Sequence, residues 1–141
     1  MPHSSSNPRI LIVTPEVSFF PDGMGSNSDC LNARSGGIAD VSASLISALY
    51  QEGADVHVAL PDYRSLFRNQ LPPDIQREWK IITETMPGER IHLARDRVFF
   101  YLDHLYYGNS RENIEISLAF QRDVINNIEP VVVQPDLISL P

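Results

Sequence analysis

The sequence predicts an α/β fold: a Rossmann-like parallel sheet with flanking helices and an antiparallel strand excursion in the middle. Three observations lead there. A short apolar run, Ile10–Val13, is closed by Pro15; a helical pattern follows in GIADVSASLISALYQEG; a second run, ADVHVALP, ends at Pro61. Strand, loop, helix and strand within about fifty residues make the βαβ unit of a doubly wound sheet, in which loops at the strand carboxyl ends carry ligands.

The 141 residues are 43% hydrophobic and 21% charged, one soluble domain's worth. Such a length buries roughly two thirds of its unfolded surface, enough for a core. Eleven Lys and Arg against 18 Asp and Glu give a net charge of −7, which argues against broad nucleic-acid or anionic-membrane binding. A single cysteine, Cys30, excludes an internal disulfide. Ile10–Val13 is too short for the apolar core of a secretory signal and nothing reaches a membrane span, so the expected location is cytoplasmic.

Taken in order, residues 1–8 are a polar tail expected to be disordered, and 9–141 the partial domain. RILIVTP reads as a buried strand. The Gly/Asn/Ser/Asp-rich stretch from Pro15 to Ser35 reads as a long loop, and such a loop inside a domain is functional or disordered. In the helix that follows, Ile38, Val41, Leu45 and Leu49 share a face with Ile46 and Ala48 alongside, and Gly53 stands where a helix stops. Val56, Val58 and Leu60 alternate in the second strand. Residues 75–85, 89–95 and 97–102 read as short strands without intervening helices, the antiparallel excursion. Residues 111–128 predict a second long helix with Ile114, Leu118, Ile125 and Ile128 on one face and Val124 beside it, and QPDLISL the next parallel strand.

The chemistry concentrates at ARSGGIADV. Gly36 and Gly37 open the first crossover helix, where free N–H groups and the positive helix end favour an anion and the missing Cβ lets it approach. Arg34 adds a planar fork suited to phosphate. On spacing alone, close packing of the helix on the sheet explains the glycines equally well. Asp40, one turn in, fits charge complementarity with the helix end better than a sugar-hydroxyl acceptor. Gly23-Met24-Gly25 lacks the third glycine of a dinucleotide motif, Ser28 standing in its place, and no phosphate-binding P-loop is present. His3, His57, His92 and His104 show no metal-ligand spacing with Cys30 or paired carboxylates, so no metal site is predicted, and His57 is placed on a strand face. Phe99, Phe100, Tyr101, Tyr106 and Tyr107 fit the core better than a sugar platform, and Asp103-His104 a solvated turn.

RILIVTPEVSFFP and RSGGIADVSASLISALYQEGADVHVALPDY together resemble the opening of bacterial glycogen synthases and plant starch synthases. That family has a Glu-containing turn after the first strand, a Lys-Thr-Gly-Gly-Leu-Ala-Asp-Val helix start and a second strand ending Leu-Pro-x-Tyr. RENIEISLAFQRDVI with QPDLI is similar to a later family segment, so the likeness reaches both ends of the chain and is weakest over residues 64–100. The resemblance implies the N-terminal half of a GT-B fold and a retaining glucosyltransferase, without a metal or other cofactor, that moves glucose from ADP-glucose or UDP-glucose to an α-1,4-glucan. It implies that Arg34 replaces the family lysine at the nucleotide diphosphate, with Ser35 beside it. Gly36 and Gly37 would supply backbone donors, and Asp40 would lie near the transferred sugar or acceptor. Glu16 holds the acidic first-loop position, and Tyr107 aligns with a glucan-stacking residue.

The departures are specific. Arg34 and Ser35 stand for lysine and threonine, and the insertion PDGMGSNSDCLN separates the first turn from the RSGG motif. In the family the strand matching QPDLI leads into a His-x-His-Asp-Trp segment, whereas here it ends Ser139-Leu140-Pro141. The expectation is therefore a divergent, truncated segment with no catalytic residue of its own, inactive alone, and self-associating through an exposed sheet edge. The alternatives are a non-catalytic glucan-binding or protein-interaction module on the same scaffold, and a Rossmann-like domain whose helix start matches by coincidence.

Overall fold

Five residues, RILIV, form β1 (Arg9–Val13), and all but the first are buried. A strand with no polar face must be covered on both sides, which parallel sheets achieve with crossover helices. The computed structural model describes residues 7–24, 31, 33–34, 36–69, 73, 90–102 and 110–141. In it α1 (Gly37–Gln51) carries the chain to β2 (Asp55–Pro61), which lies parallel to β1 with Ile10 opposite Val56 and Ile12 opposite Val58. Then come α2 (Arg64–Asn69), β3 (Ile91–Ala94), α3 (Arg97–Phe100) and α4 (Ser110–Asp123). α4 continues as a π-helical segment, Val124–Val133, and leads to β4 (Leu137–Ser139). The sheet order is β3-β2-β1-β4, every pair parallel, as the α/β reading requires. Gly53 has φ 89°, the left-handed conformation of a helix-ending glycine, and its N–H donates to Tyr50 O. No helix among the described residues is long and apolar enough to cross a membrane.

The antiparallel excursion is corrected in two places. The expected strand at 89–95 does form, as β3, but it pairs parallel to β2, with Val58 opposite Ile91 and Leu60 opposite Leu93. The expected strand at 97–102 is instead α3, because Asp96 Oδ1 accepts from Val98 N at 3.0 Å and caps a helical turn there. A satisfied cap outweighs the strand preference of Val98, Phe99 and Phe100. The expected strand at 75–85 lies outside the described residues, and α2 was not expected. Of the tail, residues 1–6 lie outside the description, while Pro8 O already accepts from Asp55 N at 2.9 Å.

Two helix faces also turn out differently. α1 buries Ala39, Ser42, Ala43 and Ile46, with Leu45 and Leu49 partly buried, while Val41 is 59% exposed. Small residues bring the helix close to the sheet, so the buried stripe is rotated away from Val41. In the second long helix Ala119, Phe120, Val124 and Ile128 are buried, whereas Ile114, Leu118 and Ile125 are exposed. Pro130 lies inside the π-helical segment, which ends at Gln134 in the left-handed region, φ 49°. Proline has no N–H to give an α-helical ladder.

Candidate functional site

Just past β1, at Thr14, the ladder gives way to a network around the start of α1. Thr14 N still donates to Ala59 O, while the Thr14 hydroxyl donates to Glu16 O at 3.0 Å. With that proton spent, the 2.8 Å contact between Thr14 Oγ1 and Ser42 Oγ has Ser42 as donor. The next residues turn Glu16 under α1. Its Oε1 accepts from Gly36 N at 3.0 Å and Ala39 N at 3.1 Å, and the residue is 0% exposed. Gly36 is the extended N-cap residue of α1, so a carboxylate from a distant loop does what a capping side chain ordinarily does. Oε2 of Glu16 is buried with no hydrogen-bond partner among the described residues.

The long loop is organised by this arrangement. Val17 and Ala33 form an antiparallel bridge with two hydrogen bonds, 2.9 and 2.8 Å, and Ser18 donates to Ala39 O from both N and Oγ. Phe20 just before the insertion and Met24 and Leu31 within it are buried in the core, so the insertion contributes to the domain. Gly23 sits at φ 93° in a turn, a backbone conformation that favours glycine, and an added Cβ would also displace the Tyr50 hydroxyl.

Directly after the bridge, Arg34 pairs with Asp40 at 2.9 Å, with both side chains at least half exposed. Five of the residues singled out in the sequence therefore meet at the start of α1: Glu16, Arg34, Gly36, Gly37 and Asp40. Ser35 and Tyr107 lie outside the described residues. The Gly36 N–H, which spacing offers to an anion, donates to Glu16 here, because a buried carboxylate already occupies that point of the helix end. A Cβ added at Gly37 would meet nothing within 4 Å, so the approach to the backbone is open there. Thr14, Ser18 and Ser42 escaped the sequence reading. The signal available for Ser42 was a polar residue amid the small residues of the helix face.

Nearby, a cleft of about 530 Å³ runs between the carboxyl ends of β1, β2 and β4 and the second long helix, lined by Val13, Pro15, Tyr63, Phe120, Val124 and Ile138 among others. Its walls are mainly apolar, and Tyr63 OH donates to Pro15 O at 2.6 Å. Beside it Asp62 is 1% exposed, and burial pushes its carboxyl above the usual range against the pull of Arg64 and Arg95. Arg64 stacks on Phe100, 3.9 Å from the ring centroid.

A second polar cluster occupies the other end of the strands. Asp55 accepts from Arg9 Nε at 2.8 Å, from Arg90 Nη1 and from His57 Nε2 at 3.2 Å. Burial raises its pKa, but the two arginine hydrogen bonds and the neighbouring positive charges prevail and hold it near 2. His57 Nδ1 lies 2.9 Å from His92 Nε2, with the rings stacked. Since His57 Nε2–H faces Asp55, neutral His57 accepts at Nδ1 from His92. Burial, with the positive neighbours Arg9 and Arg90 against the pull of Asp55, lowers His57. Burial and His57 bring His92 down to about 4. His57 thus sits on a strand face, as its sequence position suggests, and among the described residues no group of three His, Cys, Asp or Glu is placed to hold a metal.

Four parallel strands with flanking helices, a loop ending at a glycine-opened helix and an exposed arginine at that helix start define a Rossmann-like α/β unit. Comparison with known proteins narrows this class. The profile of the starch synthase catalytic domain family matches residues 9–140, and the chain belongs to that family. It is 31% identical to a glycogen synthase of Moorella thermoacetica over 141 residues, covering 92% of this chain and 26% of that protein. It is 28% identical to glycogen synthase 2 of Geobacter sulfurreducens over 147 residues, 92% of this chain and 28% of the relative. A glycogen synthase of Alkaliphilus metalliredigens is 30% identical over 121 residues, 75% and 24% of the two chains. The chain thus spans about a quarter of the length of these relatives. No solved structure matches it significantly.

Proposed function

We propose that the chain is the N-terminal segment of a retaining glucosyltransferase of the glycogen/starch synthase type, which transfers glucose from ADP-glucose or UDP-glucose to an α-1,4-glucan in the cytoplasm. The observation that carries this reading is the exposed Arg34 held 2.9 Å from Asp40 at the glycine-opened start of α1, in a chain of the starch synthase catalytic domain family. Arg34 would grip the nucleotide diphosphate as a two-pronged donor, releasing Asp40 towards the sugar or acceptor. Gly36 and Gly37 keep the approach free of side chains, Ser35 adds a hydroxyl, and Tyr107 would stack on the glucan. Stabilising a leaving diphosphate needs donors on both of its sides. The segment alone is therefore expected to show no turnover above blank in a glycogen-primed assay with ADP-glucose.

An NMR titration of the labelled chain with ADP-glucose tests the reading. Shifts centred on residues 34–40 that vanish in Arg34→Ala support it, and their absence in the wild type overturns it for this chain. A second reading, a glucan-binding or protein-interaction module without catalysis, draws on the internal pairing of the loop: Arg34 already has a carboxylate and Gly36 N an acceptor. Shifts with a maltooligosaccharide only, away from residues 34–40, would favour it. Leu137 and Ile138 on β4 are exposed, and through that edge we expect self-association. A strictly monomeric species in sedimentation velocity would refute it.

A further inference from the structure

Four N–H groups at the start of any α-helix lack a partner inside the helix. In α1 these belong to Gly36, Gly37, Ile38 and Ala39; Glu16 Oε1 takes the first and the last, at 3.0 and 3.1 Å, and Ala39 N is shared with Gly36 O at 3.3 Å in a tightened first turn. No acceptor among the described residues pairs with the N–H of Gly37 or Ile38. Gly37 is exposed, and an added Cβ there would meet open space. Glu16 Oε2 lies buried at the same helix end without a partner among the described residues. A residue placed only to satisfy itself would not leave an oxygen stranded. Its position is enforced from outside: by Thr14, whose hydroxyl holds the Glu16 carbonyl and receives Ser42, and by the Val17–Ala33 bridge that follows.

We propose that Glu16 is a positioning residue. It divides the donors of the α1 N-terminus, locking Gly36 and Ala39 inward and leaving Gly37 and Ile38 as the pair offered to a phosphate group beside Arg34. The inference rests on the reading of this loop as a diphosphate site and alters the part Glu16 plays in it, since its carboxyl group holds the backbone and does not touch the ligand. An acid so close to an anion site also repels the anion. Glu16→Gln, which keeps one oxygen for the two amides and removes the charge, is therefore expected to bind phosphate at least as well as the wild type, whereas Glu16→Ala loses the division of donors.

The test uses the whole 141-residue chain, wild type, Glu16→Ala and Glu16→Gln, with amide exchange read residue by residue before ligand is added. In the wild type Gly36 and Ala39 should exchange at least tenfold more slowly than Gly37 and Ile38. Glu16→Ala should erase that difference at Gly36, Ala39 keeping Gly36 O as an acceptor, while amides of β1 and β2 keep their protection, and Glu16→Gln should restore it. Titration with ADP-glucose, and with inorganic pyrophosphate as the bare diphosphate, should then move Gly37 and Ile38 in the wild type and in Glu16→Gln. Glu16→Ala should bind at least fivefold more weakly. Equal exchange at all four amides in the wild type, or undiminished binding by Glu16→Ala, overturns the proposal. The expected exchange pattern with no wild-type binding of either probe would overturn the diphosphate reading and leave Glu16 a structural cap, which also ends the proposal.

Discussion

The two ends of β1 carry polar clusters built on opposite rules. At the amino end Asp55 is surrounded by Arg9, Arg90 and His57, and His92 completes the chain of contacts. Charges there neutralise one another across two strands and the residue leading into β3, and the cluster is closed. At the carboxyl end one carboxylate, Glu16, meets only backbone amides, keeps a stranded oxygen and leaves two helix amides unclaimed among the described residues. A closed cluster stabilises. An open one costs stability and is retained where it serves binding. The first end should therefore answer to stability measurements and the second to ligand.

Asp55→Ala should break this contrast most forcefully. Removing the shared acceptor leaves two half-buried arginines and His57 without their counter-charge, and we expect a loss of about 2–3 kcal/mol in urea unfolding. ADP-glucose shifts at residues 34–40 should be unchanged. Acid should weaken the same end by a smaller amount. His92 titrates near 4 in the folded chain against 6.5 when unfolded, and His57 is lowered too, so below pH 6.5 the unfolded chain takes up protons first. Stability is full above that pH and falls as the pH drops towards 4; thermal melts at pH 7.5 and 5 should differ by about 1 kcal/mol after allowing for solvent screening. His92→Gln should flatten the dependence. Asp55, lowered from 3.8 to about 2, withdraws its own contribution only as the pH falls through that range.

Ser42→Ala probes the open end. It removes the hydroxyl that donates to Thr14, a buried hydrogen bond worth about 1 kcal/mol, and should also speed amide exchange at Gly36 and Ala39. The smallest effect on stability belongs to Arg34→Ala. The exposed Arg34–Asp40 pair should contribute no more than about 0.5 kcal/mol to folding, so this variant should melt with the wild type while losing its ligand shifts. A large stability loss in Arg34→Ala, or none in Asp55→Ala, would dissolve the distinction between the two ends.

Sequence reading captured the parts of the molecule specified by local signals. β1, α1 and β2 follow from apolar runs bounded by Pro15, Gly53 and Pro61, and the parallel pairing of β4 follows from the βαβ logic. Arg34, Gly36, Gly37 and Asp40 are adjacent in sequence, so their meeting at one helix end was legible too. Long-range contacts were not. The buried face of α1 depends on Ser42 reaching Thr14, 28 residues away, and the role of Glu16 depends on amides 20 and 23 residues away. The direction of β3 depends on the path of the crossover and not on its four residues. α3 was readable from Asp96 as a cap, but the aromatic, β-branched run beside it argued for a strand with equal force.

The Val17–Ala33 bridge also bears on how this chain can change over evolutionary time. It ties the loop at its neck, and the described residues inside the neck are anchored by the two Ser18 hydrogen bonds to Ala39 and by the buried Phe20, Met24 and Leu31. Insertions or deletions inside the neck that spare those anchors need not move Glu16 or Arg34, which stand just outside it. A lineage can thus remodel this segment between its anchors while the geometry at the start of α1 is inherited intact.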